Sequence, residues 1–252
     1  MLNVQQVLDF INERAPFETQ LAFDNSGLLV GDPQQEVTGI HVALDLTNKV
    51  IDEAIANGAN LIVTHHPVMF SPIKQLVETD YEARLLCRLI RANISLIAAH
   101  TNLDQAVGGC NDALAQSIGL TDIVGEGFVR VGTLPQPMNA ADLADAIGNA
   151  LGDVVRVMGN ADATIEKVGM CSGSGADEWR AAAAMGAQAF LTGEVKHHIA
   201  LEASDANIVM LEAGHHATEA PGIFVLADAL QNSNFIVQYH LRVTQSRVKA
   251  YQ

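Results

Sequence analysis

Basic residues are scarce in this chain: 14 Lys and Arg stand against 29 Asp and Glu, for a net charge of −15. No basic run and no interleaving of aromatic with basic residues occurs, which excludes long nucleic acids as partners. A small anion remains admissible, because a bound cation can reverse the local field. Cysteine is also rare, with Cys87, Cys110 and Cys171 forming no C-x-x-C pair. Neither a disulfide framework nor a structural zinc knuckle is expected, and a reducing cytoplasm is the natural compartment. Long apolar runs are missing, and the opening MLNVQQVLDFINERAP places Asp9, Glu13 and Arg14 where a signal peptide would be uninterrupted. No export signal and no membrane span are expected.

What is abundant is apolar residue content, 49% of 252 residues, enough for one large core or two ordinary ones. The chain also resembles itself. Ile40-His41-Val42-Ala43-Leu44 leads through a helical stretch and Gly58-Ala59 to Leu61-Ile62-Val63-Thr64. Val168-Gly169-Met170-Cys171-Ser172 leads through another, over Asp177 to Met185, and Gly186-Ala187 to Ala189-Phe190-Leu191-Thr192, in the same number of steps. Each is the pattern of a βαβ unit, the glycine ending the helix and the apolar run forming a buried parallel strand. A third strand is duplicated as well, Asn93 to His100 matching Asn207 to His215 with one inserted residue. The expected architecture is α/β: two similar, duplicated α/β/α halves, residues 1–127 and 128–252, with mixed or mainly parallel sheets, and with C-terminal elements interleaved with the first half as an alternative. Gly125-Glu126-Gly127 and Leu134-Pro135-Gln136-Pro137 are expected to be connection rather than core.

Seven of the nine histidines fall in four places: His65-His66, His100, His197-His198 and His215-His216. Three of these follow a strand's carboxyl end, the edge where parallel sheets bind ligands. HTNLD sets Asp104 four residues after His100, and HHATE sets Glu219 four residues after His215. On a helix, such spacing presents imidazole and carboxylate on one face. Nitrogen and oxygen donors without thiolate suit Zn, Mn, Fe, Co or Ni. His65, His66, Asp104, His215 and Glu219 exceed what one four-coordinate ion with an open position needs, so two divalent ions per chain are expected. Consecutive side chains leaving a strand diverge, which assigns His65 and His66 to different ions. A pair roughly 3.5 to 4 Å apart would activate water and clamp an oxyanion.

CSGSGADEW, Cys171 to Trp179, is a glycine-rich strand-to-helix turn that could hold an anion but lacks a P-loop lysine. Its alternative is a plain tight turn. Glu194, His197 and His198 occupy positions equivalent to or following the duplicate of Thr64-His65-His66, as site lining or as helix cap and surface. Asp24-Asn25 in FDNSGLLVGD could cap a helix or reach the site.

Taken together, FDNSGLLVGD, VTHHPVMF, AAHTNLD with GGCNDALA, VGMCSGSG, LTGEVKHH and AGHHATE resemble the Nif-three-like family of dinuclear metal proteins, whose bacterial members are labelled GTP cyclohydrolase 1 type 2 homologues. Phe23 stands where many members carry tryptophan. The resemblance implies His65, His66, Asp104, His215 and Glu219 as metal ligands with His100 close by, two α/β/α halves facing a shared cleft, and a toroidal homohexamer. The expected function is a metal-dependent hydrolase of a small molecule, a nucleotide or purine derivative, with His100 moving protons. The alternative is a non-catalytic metal-holding or regulatory assembly protein.

Overall fold

The structure, a computed structural model, describes residues 1–249. Its chain divides into two compact units, the first made of Met1–Ala106 with the segment from Ile223 onward, the second of Val107–Gly222. The divide falls earlier than 127 because β5 (Thr121–Val124) pairs with β6 (Arg130–Asn139) and α5 (Cys110–Ser117) packs on the same core as they do.

In the first unit, α1 (Val4–Arg14) starts from a capping box in which Asn3 and Gln6 satisfy each other's backbone N–H groups. The sheet contains β1 (Gly27–Val30), β2 (Ile40–Ala43), β3 (Leu61–Thr64), β4 (Ser95–Ala98) and β11 (Val243–Gln245), in the order β1-β4-β3-β2-β11. All neighbours run parallel except β1, which is antiparallel to β4. Every residue of β2, β3 and β4 is buried, as in central parallel strands covered on both faces. α2 (Asn48–Ala56) and α3 (Tyr81–Ala92) supply Val50, Ile51, Ala54, Leu85 and Leu89 to the core shared with Ile62 and Leu96. α4 (Thr101–Gln105) follows β4 directly.

The second unit orders its strands β5-β6-β8-β9-β10-β7, with β7 (Arg156–Met158), β8 (Thr164–Met170), β9 (Ala189–Thr192) and β10 (Val209–Glu212). Only β8, β9 and β10 run parallel. Alternate residues face opposite layers. Val168, Met170, Leu191 and Leu211 pack with α5 and α6 (Ala140–Leu151), whereas Phe190 and Met210 pack with α7 (Trp179–Ala184) and α8 (His197–Asp205). This is an α/β/α sandwich. α9 (His215–Gln231) carries the chain out of the second unit, with Pro221 inside it, and α10 (Asn234–Tyr239) precedes β11.

The expected duplication extends to single hydrogen bonds. Ile40 registers with Leu61, and Val168 with Ala189. Gly58 and Gly186 both end their helices at positive φ. Ala59 and Ala187 donate to Ala54 and Ala182, and Ala99 and Ala213 donate to Thr64 and Thr192. Asn93 and Asn207, which lead into the third strands, share a left-handed backbone. One expectation fails. Leu134–Pro137 lies within β6, in the stretch where its ladder with β8 breaks between Thr133 and Met138. Pro135 and Pro137 are tolerated there because a bulged stretch asks for no ladder N–H.

Candidate functional site

The first unit gathers three histidines at the carboxyl ends of β3 and β4. Backbone N–H groups of His65 and His66 donate to the carbonyl of Leu44 at the end of β2, and the Thr64 hydroxyl donates to the His66 carbonyl. The next residue, Pro67, biases His66 toward extended backbone, so the chain leaves the strand with both imidazoles at its edge. His100 is the N-cap residue of α4. The rings of His65, His66 and His100 lie 5.0 to 5.4 Å apart between centroids. Each offers a nitrogen within 4.8 Å of the others, close enough for the group to hold a metal ion.

Each ring is oriented through Nδ1. His65 Nδ1 donates to the Ala99 carbonyl at 2.8 Å, His66 Nδ1 to Asp45 at 2.7 Å, and His100 Nδ1 to Asp24 at 2.8 Å. Carbonyl and carboxylate oxygens only accept, so Nδ1 carries a proton in each ring, the orientation in which a metal would bind through Nε2. Burial opposes ionisation of Asp24, but hydrogen bonds from His100 and from the Thr101 hydroxyl outweigh it and hold its carboxyl well below the usual carboxylate range. Thr101 N–H adds a 3.0 Å bond to the same oxygen.

Asp104 is 8% exposed, and its Oδ1 lies 3.4 Å from Nε2 of the fully buried His65. The spacing in HTNLD suggested that Asp104 would pair with His100. Instead His100, sitting in non-helical cap geometry, takes Asp24.

In the second unit the expected i,i+4 pair does form. His215 Nε2 stands 3.1 Å from Glu219 Oε1, and His215 Nδ1 donates to Glu194 Oε1 at 2.8 Å. The hydrogen bond to Glu219 raises the pKa of His215, burial opposes it, and Glu194 adds to the rise, giving about 9. Glu194 itself is lowered, chiefly by its bond to His215. Gly173, in the glycine-rich turn, forms a cradle for this pair. A Cβ there would sit 2.2 Å from Glu219 Oε1 and 3.2 Å from His215 Nε2. The Ser174 hydroxyl reaches Glu194 at 3.1 Å. Thus the turn lies against a histidine and two carboxylates, while His197 and His198 are exposed on the first turn of α8. Asp45 had no signal in the sequence beyond its place after a strand.

In the first unit the three imidazoles, each oriented through Nδ1, and in the second the group of His215, Glu194 and Glu219 beside a turn emptied of side chain, are each a donor set of the kind that suits a divalent first-row metal ion. Fold and donor set therefore define a class: α/β proteins of two mixed sheets with imidazole–carboxylate groups suited to metal. Sequence comparison is narrower, since residues 2–251 match the Duf34/NIF3 (NGG1p interacting factor 3) family, and the chain belongs to it. A Clostridium acetobutylicum GTP cyclohydrolase 1 type 2 homolog is 31% identical over all of this chain and 98% of that one. A Helicobacter pylori protein named GTP cyclohydrolase 1 type 2 is 32% identical over 94% and 95%. Among solved structures, Staphylococcus aureus protein SA1388 superposes with a TM-score of 0.94 at 27% identity, covering 99% of this chain and 98% of that one. Among the described residues, no helix is long and apolar enough to cross a membrane.

Proposed function

We propose that the protein is a metal-dependent hydrolase of a small molecule, a nucleotide or purine derivative, with His65, His66, Asp104, His215 and Glu219 as ligands of two divalent ions. The observation that carries this reading is the shared orientation of the histidines: Nδ1 of His65, His66, His100 and His215 is bonded to an oxygen acceptor, the orientation in which a metal-ligating imidazole binds through Nε2. Bound ions would supply Lewis acidity and a water of lowered pKa. His100, held by ionised Asp24, presents Nε2 to take a proton from the attacking water and return it to the departing nitrogen. Names of the relatives support a purine nucleotide as the substrate class.

The test combines elemental analysis of the untagged protein with turnover of GTP in the presence of Zn, Mn, Fe, Co or Ni. His65→Ala and Glu219→Ala should lose metal, whereas His100→Ala should keep metal and lose turnover. Unchanged metal in the first two variants would make the histidines structural. Tight, slowly exchanging metal with no turnover of any nucleotide would leave a metal-holding protein.

A further inference from the structure

Beside the histidines of the first unit stand two aromatic rings that the proposed chemistry does not use. Phe23 and Phe70 stack with centroids 6.1 Å apart and planes at 29°, yet they are 62% and 48% exposed. Phe70 also meets His100 edge to face at 5.7 Å. Their loops are tied to the site. The Asn25 side-chain amide donates to the Met69 carbonyl at 2.6 Å, joining the Phe23 loop to the Phe70 loop. One residue earlier, Asp24 binds His100 and Thr101. Rings needed only to close these loops would be expected to bury their faces, since apolar surface left in water gives up roughly 25 cal/mol per Å².

We propose that Phe23 and Phe70 form a stacking platform for the heteroaromatic base of the substrate. A planar π face fits a planar π face and tolerates many bases. The chain's −15 charge offers no general attraction to phosphates, which leaves the base as the part of a nucleotide these rings can recognise. Contact between Phe70 and His100 sets the stacked ring next to the proton-transfer group. A ring of this size covers a two-ring patch, whereas a protein partner would need a far larger apolar surface. This inference deepens the hydrolase reading and rests on it for the substrate class.

Full-length, metal-loaded protein is titrated with guanosine, GTP and inorganic triphosphate, as wild type and as Phe23→Ala, Phe70→Ala and Phe70→Tyr. The alanine variants should weaken guanosine and GTP binding about tenfold or more. Triphosphate affinity and metal content should not change, and Phe70→Tyr should restore binding. Equal guanosine affinity in wild type and alanine variants overturns the platform. So does wild-type binding of triphosphate without guanosine, or alanine variants that alter only the sedimentation coefficient, which would assign the rings to a second copy of the chain. The two readings fail separately. Ring-dependent binding without turnover on any metal removes the hydrolase and keeps the platform, while turnover with unchanged KM in the alanine variants does the reverse.

Discussion

A histidine can bind a metal only through a nitrogen that has no proton, so the oxygen opposite Nδ1 decides whether Nε2 is ready. Asp45 and Glu194 supply that oxygen for His66 and His215. Asp45→Ala and Glu194→Ala should each weaken metal binding 10- to 100-fold without unfolding the protein, as read by competition with a chromophoric chelator. Gly173→Ala should act through space, because its Cβ would overlap Glu219 and because φ at this position is +61°. Its metal content should fall while its circular dichroism stays that of wild type. Protonation gives a third expectation. A metal ion bound through His215 as proposed would have to displace the proton that Glu219 and Glu194 hold on it up to about pH 9. Affinity should therefore fall about tenfold per pH unit below 9 on account of this residue, and binding at pH 7 should release close to one proton. Calorimetry in buffers of different ionisation enthalpy measures that release, and a heat independent of buffer would refute the assignment. In the metal-free protein the sign reverses: the raised pKa gives stability present below the ordinary 6.5 and lost as pH rises through 9.

Among the elements, those with a period were legible and those defined by a partner were not. The βαβ repeats announced themselves because the central parallel strands are buried at every position and mostly apolar, and the helices between them end in glycine at positive φ. β6 escaped because its prolines sit in a broken stretch of ladder, and β11 because a short, half-buried edge strand has no pattern of its own. β11 is held instead by buried polar contacts. Its Thr244 hydroxyl lies 2.7 Å from Nδ1 of His41, which is 1% exposed, and Nε2 of that ring lies 3.3 Å from Glu53, which also receives the Ser246 hydroxyl. Replacing His41 with Ala strips partners from buried groups and should cost about 1–3 kcal/mol. Hydrogen exchange should then rise first at Val243–Gln245, and protection lost equally across β3 would count against this role. Burial lowers the pKa of His41, with Glu53 opposing. The unfolded chain thus binds the extra proton, and this part of the stability declines as pH drops below the ordinary 6.5.

At the scale of the whole molecule, the sequence carried the existence of two halves but not where the chain changes between them. Self-similarity marks elements that repeat, and the boundary is made by elements that do not: α5 and β5, which join the second core, and α10 and β11, which return to the first. The unit spanning Val107–Gly222 is one continuous segment, and its two cores draw on residues from that segment alone. A fragment of residues 107–222 should therefore fold, with cooperative unfolding and dispersed amide resonances. Residues 1–106 should not, because without β11 the fully buried β2 becomes an open edge, a template for pairing with other chains. That fragment should aggregate, and adding residues 223–252 as a separate peptide should recover soluble material whose β2 amides are protected. A soluble, cooperatively folded 1–106 fragment would show that the returning segment decorates the first sheet without completing it.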